Sequence, residues 1–486
     1  MRGKAALRLT VACLALAAAS CGRRADVGAV VVSAIGPAPK LAGARRDAMN
    51  EGDRLLTDAL AEGLVRFDAA GQIEAGLAQR WIVTDGGMSY IFRIRDARWN
   101  DGETIDAEQI VRLFRRQADK SARNPLRPYL SAIGSAVEMT PEVIEIELER
   151  PRPDLLKLFA QPELAMIRGA DDSTGPLRVK SRRPHSWRLT PAPDPNRDPD
   201  ADGPTPEDDV LLIGERAARA IVRFTGRGSD LVAGGTIDDW PLLRAASPAP
   251  VNVRIDPAAG LFGLAVVRQE GMLSDPGVRT AIVAAFDRAA LGAAISPEWG
   301  MRETVLPEQL DSAAQPTAPA WSALTHEQRM ADARTRVADW ARDHGAPTLA
   351  LALPRGFGGS LLWARLARDL YDMGVRPVRV ALDSEEADMR LVDRVAPYDS
   401  ARWYLAEACV ACSKDAQELI EQARLAPTLA DRATAIAAAD AALTRDATFA
   451  PLARPFRWSL VAQRLRAWQP NARAWHPLNR LRDAPN

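Results

Sequence analysis

With 486 residues, of which 47% are hydrophobic and 26% charged, the chain holds enough apolar material for a large core over about two to four structural units. That excludes a disordered or fibrous protein. Its 63 basic residues balance 63 acidic ones, so no positive excess exists to neutralise a phosphate backbone, which argues against nucleic acid as a partner.

Taken from the start, Arg2, Lys4 and Arg8 precede an apolar stretch from Leu9 to Ala19 that is too short for a bilayer core of ~30 Å, the pattern of an export signal. Ala18-Ala19-Ser20-Cys21 closes it and resembles a bacterial lipobox, with Ala18 where Leu is usual. Residues 1–20 are therefore expected to be a removed lipoprotein signal peptide, Cys21 to be lipidated, and 21–28 to form a tether. This places the protein in the periplasm or otherwise outside the cytoplasm, held on a membrane by its lipid anchor. Loss of the signal removes three basic groups and leaves a slightly acidic mature chain. With Cys13 gone and Cys21 acylated, Cys409 and Cys412 remain for an oxidising exterior, where a local disulfide is expected. A redox C-x-x-C and half of a zinc site stay open, although there is no second C-x-x-C and the histidines are scattered at 185, 326, 344 and 476.

Further along, Leu55, Leu56, Ala59, Leu60 and Leu64 recur at helical spacing and predict a core-facing helix within Asp53 to Asp68. Tyr90, Phe92 and Ile94 alternate with Ile91, Arg93 and Arg95, predicting a strand that ends in a tight turn at Asn100-Asp101-Gly102. Asp106 stands at an N-cap position with Gln109 three residues on, a capping box ahead of the apolar stripe Ile110, Val111 and Phe114. Ile144, Ile146 and Leu148 alternate with glutamates, as in a half-exposed strand. From Pro191 to Asp209, Pro, Asp and Gly dominate and predict a surface loop. Leu349 to Leu353, Gly359 to Met373 and then Val378, Val380 and Leu382 read as β-α-β, which favours a parallel sheet in a second α/β unit. Two alanine-rich helices, Lys414 to Leu425 and Thr428 to Thr444, precede an apolar, aromatic tail.

Within the loop, Asp198, Asp200, Asp202 and Gly203 form a D-x-D-x-D-G run, and Asp209 falls at the twelfth position, the order of oxygen ligands in an EF-hand-type calcium loop. Pro199, Pro204 and Pro206 and the absence of flanking helical patterns favour a solvated acidic loop instead, so no cofactor is expected beyond a structural calcium at this place.

Four ordered stretches resemble the extracellular solute-binding protein family 5, the peptide- and nickel-type receptors of ABC importers. They are Leu55 to Val111 with Trp99, Asp101 and Gly102; Thr174-Gly175-Pro176-Leu177, with Leu177 replacing an aromatic; Gly234 to Trp240; and Phe262 to Leu291 with Asp287 and Arg288. Taken as residues, Asp101-Gly102 makes a turn, Asp106 a cap, and Asp287 with Arg288 a local polar pair. The resemblance implies an α/β, two-lobed periplasmic-binding-protein fold of type II, with mixed sheets, helices and a hinge that closes over a ligand. On this reading lobe 1 spans 29–250, lobe 2 spans 251–445, and 446–486 returns to lobe 1.

The resemblance also locates the cleft. Peptide-binding relatives carry a carboxylate for the ligand's α-amino group after the strand matching Asp388 to Val392, and that position is Pro397 here, a departure that weakens a peptide assignment. Asp399 is the substitute candidate, because a desolvated ammonium needs a paired carboxylate. Tyr398, Trp403 and Tyr404 are candidate ligand walls, or equally core, and Arg390 is a candidate carboxylate holder. The expected partners are a small organic solute, a short peptide among the candidates, and the permease subunits, with the receptor itself a monomer. No G-x-S-x-G, H-E-x-x-H or phosphate-binding glycine loop occurs, so an enzyme is not expected. A secreted hydrolase, or a scaffold or sensor of the same fold, remains the alternative.

Overall fold

A computed structural model of the chain describes residues 28–41, 48–99, 102–119, 122–169, 174–193 and 203–482. The signal segment, Cys21, Asp101 and the loop aspartates 198, 200 and 202 lie outside the described residues. Among the described residues no helix is long and apolar enough to cross a membrane.

Lobe 1 is built on a seven-stranded sheet. Its middle is β1 (Val30–Ile35), whose apolar side chains are buried and which pairs in parallel with strands on both sides. A small ribbon, β2 (Val65–Phe67) with β3 (Ile73–Ala75), follows, then a four-stranded antiparallel sheet of β4 (Ala78–Thr84), β5 (Ser89–Ile94), β6 (Ile133–Thr140) and β7 (Val143–Leu148). The chain then returns to the large sheet as β8 (Leu177–Arg183), β9 (Ser186–Pro191), β10 (Val210–Glu215), β11 (Leu231–Gly235) and β12 (Val253–Ile255). Lobe 2 is a five-stranded sheet of β13 (Gly260–Val266), β14 (Thr348–Ala352), β15 (Arg376–Val380), β16 (Met389–Val395) and β17 (Phe449–Ala453). The last strand, β18 (Trp458–Val461), lies between β12 and β11 and closes the first sheet. The spatial orders are β12-β18-β11-β1-β10-β9-β8 and β15-β14-β16-β13-β17.

The chain therefore crosses between lobes twice, at 256–259 and 454–457, each time with a proline, Pro257 and Pro455, that fixes the backbone at the crossing. Both crossings fall later than the sequence boundaries of 250 and 446. The reason is pairing: β12 is still bonded to β18 of lobe 1, and β17 still to β13 of lobe 2.

Alternation placed the strands well where one face is buried. Tyr90, Phe92 and Ile94 point into the core, and the rings of Tyr90, Phe92 and Phe114 pack around Phe159 with centroids 5.5 to 6.0 Å away. Such aromatic pairs contribute about 0.5–1.5 kcal/mol each beyond area burial. The parallel β14–β15 pair joined by the helix Phe357–Asp372 matches the β-α-β reading, although Leu382 lies beyond the strand and is exposed.

Three local expectations are corrected. The first helix covers only Glu51–Leu60, because Gly63 must pass close to the Phe159 carbonyl, where a Cβ would lie 2.8 Å from its oxygen. The Asp106 side chain caps its helix, but the return bond is missing, since Gln109 accepts from the buried Trp99 indole at 2.7 Å and donates to Glu103. Asp287 caps the helix Arg288–Ile295, whereas Arg288 bonds the carbonyls of Val283, Phe286, Arg302 and Pro451 rather than pairing with Asp287.

Candidate ligand-binding cleft

Where the lobes face each other, a cavity of about 400 Å³ is enclosed by side chains from both. Lobe 1 supplies Glu51 and Arg54 from the start of its first helix, Phe67 from β2, Tyr129, and Arg473 and Trp475 from the returning tail. Lobe 2 supplies Asp393 to Pro397 at the end of β16, and Trp403 and Glu407 from the helix Ala401–Ala408. A second chamber of about 260 Å³ lies towards the crossings and shares Glu51, Arg54, Val395, Arg457 and Arg473 with the first.

Local sequence explains the placement of each wall. Asn50 caps the first helix by accepting from Asp53, and Asp53 returns a bond to the Asn50 backbone, so Glu51 is fixed in the first turn at the cleft edge. Arg54, one turn on, pairs with Glu163 at 3.1 Å, donates to Gln161 at 2.9 Å and lies over the Trp475 ring at 4.7 Å. In the tail, Asn471 ties down the turn that carries Arg473 and Trp475 through its bonds to Ala69, Arg473 and Trp475.

Polar contacts bridge the gap. The Tyr129 hydroxyl donates to Glu407 at 2.5 Å, Gln161 donates to the Pro397 carbonyl at 2.6 Å, and Arg473 donates to the Ala396 carbonyl at 2.7 Å. Asp399 accepts from both Lys157 and Arg473 of lobe 1. Burial lowers Arg473 to about 10 and, with the Arg473 charge, lowers Lys157. Burial raises Asp393 despite its 2.8 Å bond from Arg457.

Of the five ligand-binding candidates, Asp399, Tyr398, Trp403, Tyr404 and Arg390, only Trp403 lines the cavity. Asp399 accepts from two cations that reach it from the opposite lobe, Lys157 and Arg473, and lines neither chamber. Tyr398 is buried edge-on against Tyr129, with burial pushing its hydroxyl up to about 12, and Tyr404 is buried behind Trp403 with its pKa raised for the same reason. Arg390 sits at the start of β16, donates to the Ser384 carbonyl at 3.0 Å and lines neither chamber. Asp209, proposed as a calcium ligand, is fully buried at the head of β10, and one carboxylate oxygen accepts from Lys180 at 2.9 Å and Arg188 at 2.7 Å. Among the described residues, no group of three or more His, Cys, Asp or Glu side chains is placed to hold a metal ion. Cys409 and Cys412 are joined in a disulfide, with Cα atoms 5.1 Å apart.

Sequence reasoning missed Glu51, Arg54, Tyr129 and Arg473, which come from three distant parts of the chain. The Asn50-to-Asp53 spacing signals a helix start, but nothing local to it signals a cavity.

The sequence profile of the bacterial extracellular solute-binding proteins, family 5 Middle, matches residues 72–336, more than half of the chain. The chain belongs to that family. Among curated relatives, this family 5 protein is 33% identical over 146 residues to the probable deoxycholate-binding periplasmic protein YgiS of Escherichia coli, an alignment covering 26% of each chain. The matched stretch thus spans about a quarter of that relative's length. Among solved structures it superposes on Haemophilus influenzae OppA in complex with the peptide RPPGFSPFR with a TM-score of 0.76, at 14% identity, over 93% of this chain and 99% of the other. It superposes on the E. coli murein tripeptide-binding protein MppA with a TM-score of 0.76 at 16% identity, over 93% and 97% of the chains, and on the unliganded open form of MppA with 0.65 at 17%, over 93% and 97%. These likenesses establish the two-lobed fold.

Proposed function

We propose that this family 5 protein is the extracytoplasmic receptor of an ABC importer, capturing a small organic solute between its lobes and delivering it unchanged to a permease. The cavity walled by both lobes carries this reading, because only a site shared across a hinge makes closure depend on the guest. Its size lies within the ordinary range for small-ligand pockets, about 300–1,000 Å³, and its mixture of charged side chains with the apolar walls of Phe67, Trp403 and Trp475 suits a compact polar solute. A short peptide is one candidate, as the peptide in the OppA complex suggests, and the bile-acid name of the YgiS relative points to another class. Anchoring through Cys21, removal of residues 1–20, a periplasmic place and a monomeric state belong to the same proposal, supported by the lipobox-like ending.

Two measurements test it. Purified protein is screened against solutes by thermal shift, where a ligand at ~100 times its Kd adds ~2.7 kcal/mol to stability, and small-angle scattering follows compaction. A solute that is turned over, or a chain that neither binds nor changes shape with any solute, overturns the receptor reading. Cys21→Ser is expected to release the protein from the membrane fraction.

A further inference from the structure

The charged residues that line the two chambers are nearly all spoken for within the protein. Arg54 is held by Glu163, Arg394 by Glu407, Arg457 by Asp393 and Arg473 by Asp399. Asp256, deep in the second chamber, accepts from the Asn471 backbone at 2.9 Å and contacts His476 at 3.1 Å. Each cation is thereby offset by a carboxylate.

Glu51 stands apart. It lines both chambers and lies at their junction, yet among the described residues its carboxylate has no hydrogen bond and no ion pair. Its stem passes over Gly234, which has a φ of 83° and no side chain, and a Cβ there would lie 2.9 Å from the Glu51 Cγ. Burial raises the Glu51 pKa; the charges of Arg54, His476 and Arg457 oppose the rise and that of Asp256 adds to it. An ionised carboxylate held in a pocket without a partner is costly, and a cation arriving with the ligand offsets that cost.

From this juxtaposition we infer that Glu51 binds a cationic group of the solute, so that the ligand class is one bearing a protonated amine or guanidinium. The inference rests on the cleft being the ligand site. It places the amine holder in lobe 1, whereas the family resemblance implied a carboxylate in lobe 2 at the position of Pro397, whose carbonyl is occupied by Gln161. Trp403 and Phe67 supply apolar walls for the remainder of the solute.

The test compares the wild-type chain with Glu51→Gln and Glu51→Asp, using trialanine and spermidine as amine probes and N-acetyl-trialanine and deoxycholate as controls, together with whatever solute unfolding releases from the purified protein. Affinities come from thermal shift and calorimetry, and the melting temperature of each unliganded variant establishes that it folds. The expected result is that at least one amine-bearing compound binds, that N-acetylation abolishes binding, and that Glu51→Gln weakens it by about tenfold or more while Glu51→Asp retains part of it. Affinity for the amine falls as acid protonates Glu51, and this fall is absent in Glu51→Gln, which keeps His476 and Asp256 and so isolates the Glu51 contribution. If Glu51→Gln binds as tightly as wild type, or only uncharged or anionic compounds bind, the Glu51 assignment is overturned and the receptor reading survives. If nothing binds the wild-type chain and nothing is released from it, both are overturned.

Discussion

Arg473, buried in the returning tail of lobe 1, and Asp399, just ahead of the helix Ala401–Ala408 of lobe 2, form an ion pair across the cleft. Lys157 joins it from the same side as Arg473, so one carboxylate holds two cations of the facing lobe.

Replacing Asp399 with Asn leaves the Arg473 guanidinium buried without a counter-charge when the lobes are shut. Breaking a fully buried pair costs about 3–5 kcal/mol, but the Asp399 side chain is 40% exposed and solvent screens it, so about 1–2 kcal/mol is expected, all of it charged to the closed form. Ligand affinity should drop by about tenfold, and scattering should show compaction only at higher ligand concentration. Unchanged affinity and compaction would mean that the pair does not govern closure.

Asp209 makes a prediction about acid stability. Burial pushes its carboxyl up, but hydrogen bonds from Lys180, Arg188 and Thr190 outweigh this and leave it below the usual value. A group depressed in the folded state adds stability above its unfolded pKa of about 3.9, and that contribution disappears as pH falls through the folded value. Asp209→Asn should therefore cost about 1–3 kcal/mol at neutral pH, and the gap to wild type in urea melts should narrow below about pH 4. A gap that widens in acid would contradict the pairing.

Gly358→Ala tests how closely the lobes meet beside the hinge. In the first turn of the helix Phe357–Asp372, a Cβ at Gly358 would lie 1.9 Å from the Ile237 carbonyl oxygen, and Asp238 bonds the backbone of both Gly358 and Gly359. Alanine favours helix by about 1 kcal/mol over glycine, yet a clash with backbone outweighs this. A net loss of about 1–3 kcal/mol is expected by chemical denaturation. A stabilised variant would show that the contact is loose.

The disulfide closes only a short loop between residues 409 and 412. Chain-entropy reasoning gives about 2 kcal/mol for so small a ring, so the Cys409→Ser, Cys412→Ser double variant should unfold at a modestly lower denaturant midpoint. Reductant should shift wild type to match it. A variant that fails to fold at all would show that the bond does more than restrain the unfolded chain.

The sequence made some of these features plain and hid others for definite reasons. Tyr90, Phe92 and Ile94 announce β5 because one face of that strand is buried and the period is two. Asp106 announces a helix start because capping is local, but the destination of the Gln109 side chain is set by Trp99, ten residues away, and spacing does not encode it. Tyr398 and Tyr404 show the ambiguity of aromatics, which suit a ligand wall and a core equally; here both went to the core. The cleft was hardest to see because Glu51, Tyr129, Trp403 and Arg473 converge only after both sheets have formed.

At the two crossings the strands run side by side: β12 pairs with β18 in one sheet and β13 with β17 in the other. The Asp256 amide also donates to the Arg457 carbonyl at 3.0 Å, stitching one crossing to the next. Twin ribbons laced in this way resist twisting and yield mainly to bending about a single line, like a door on two hinges.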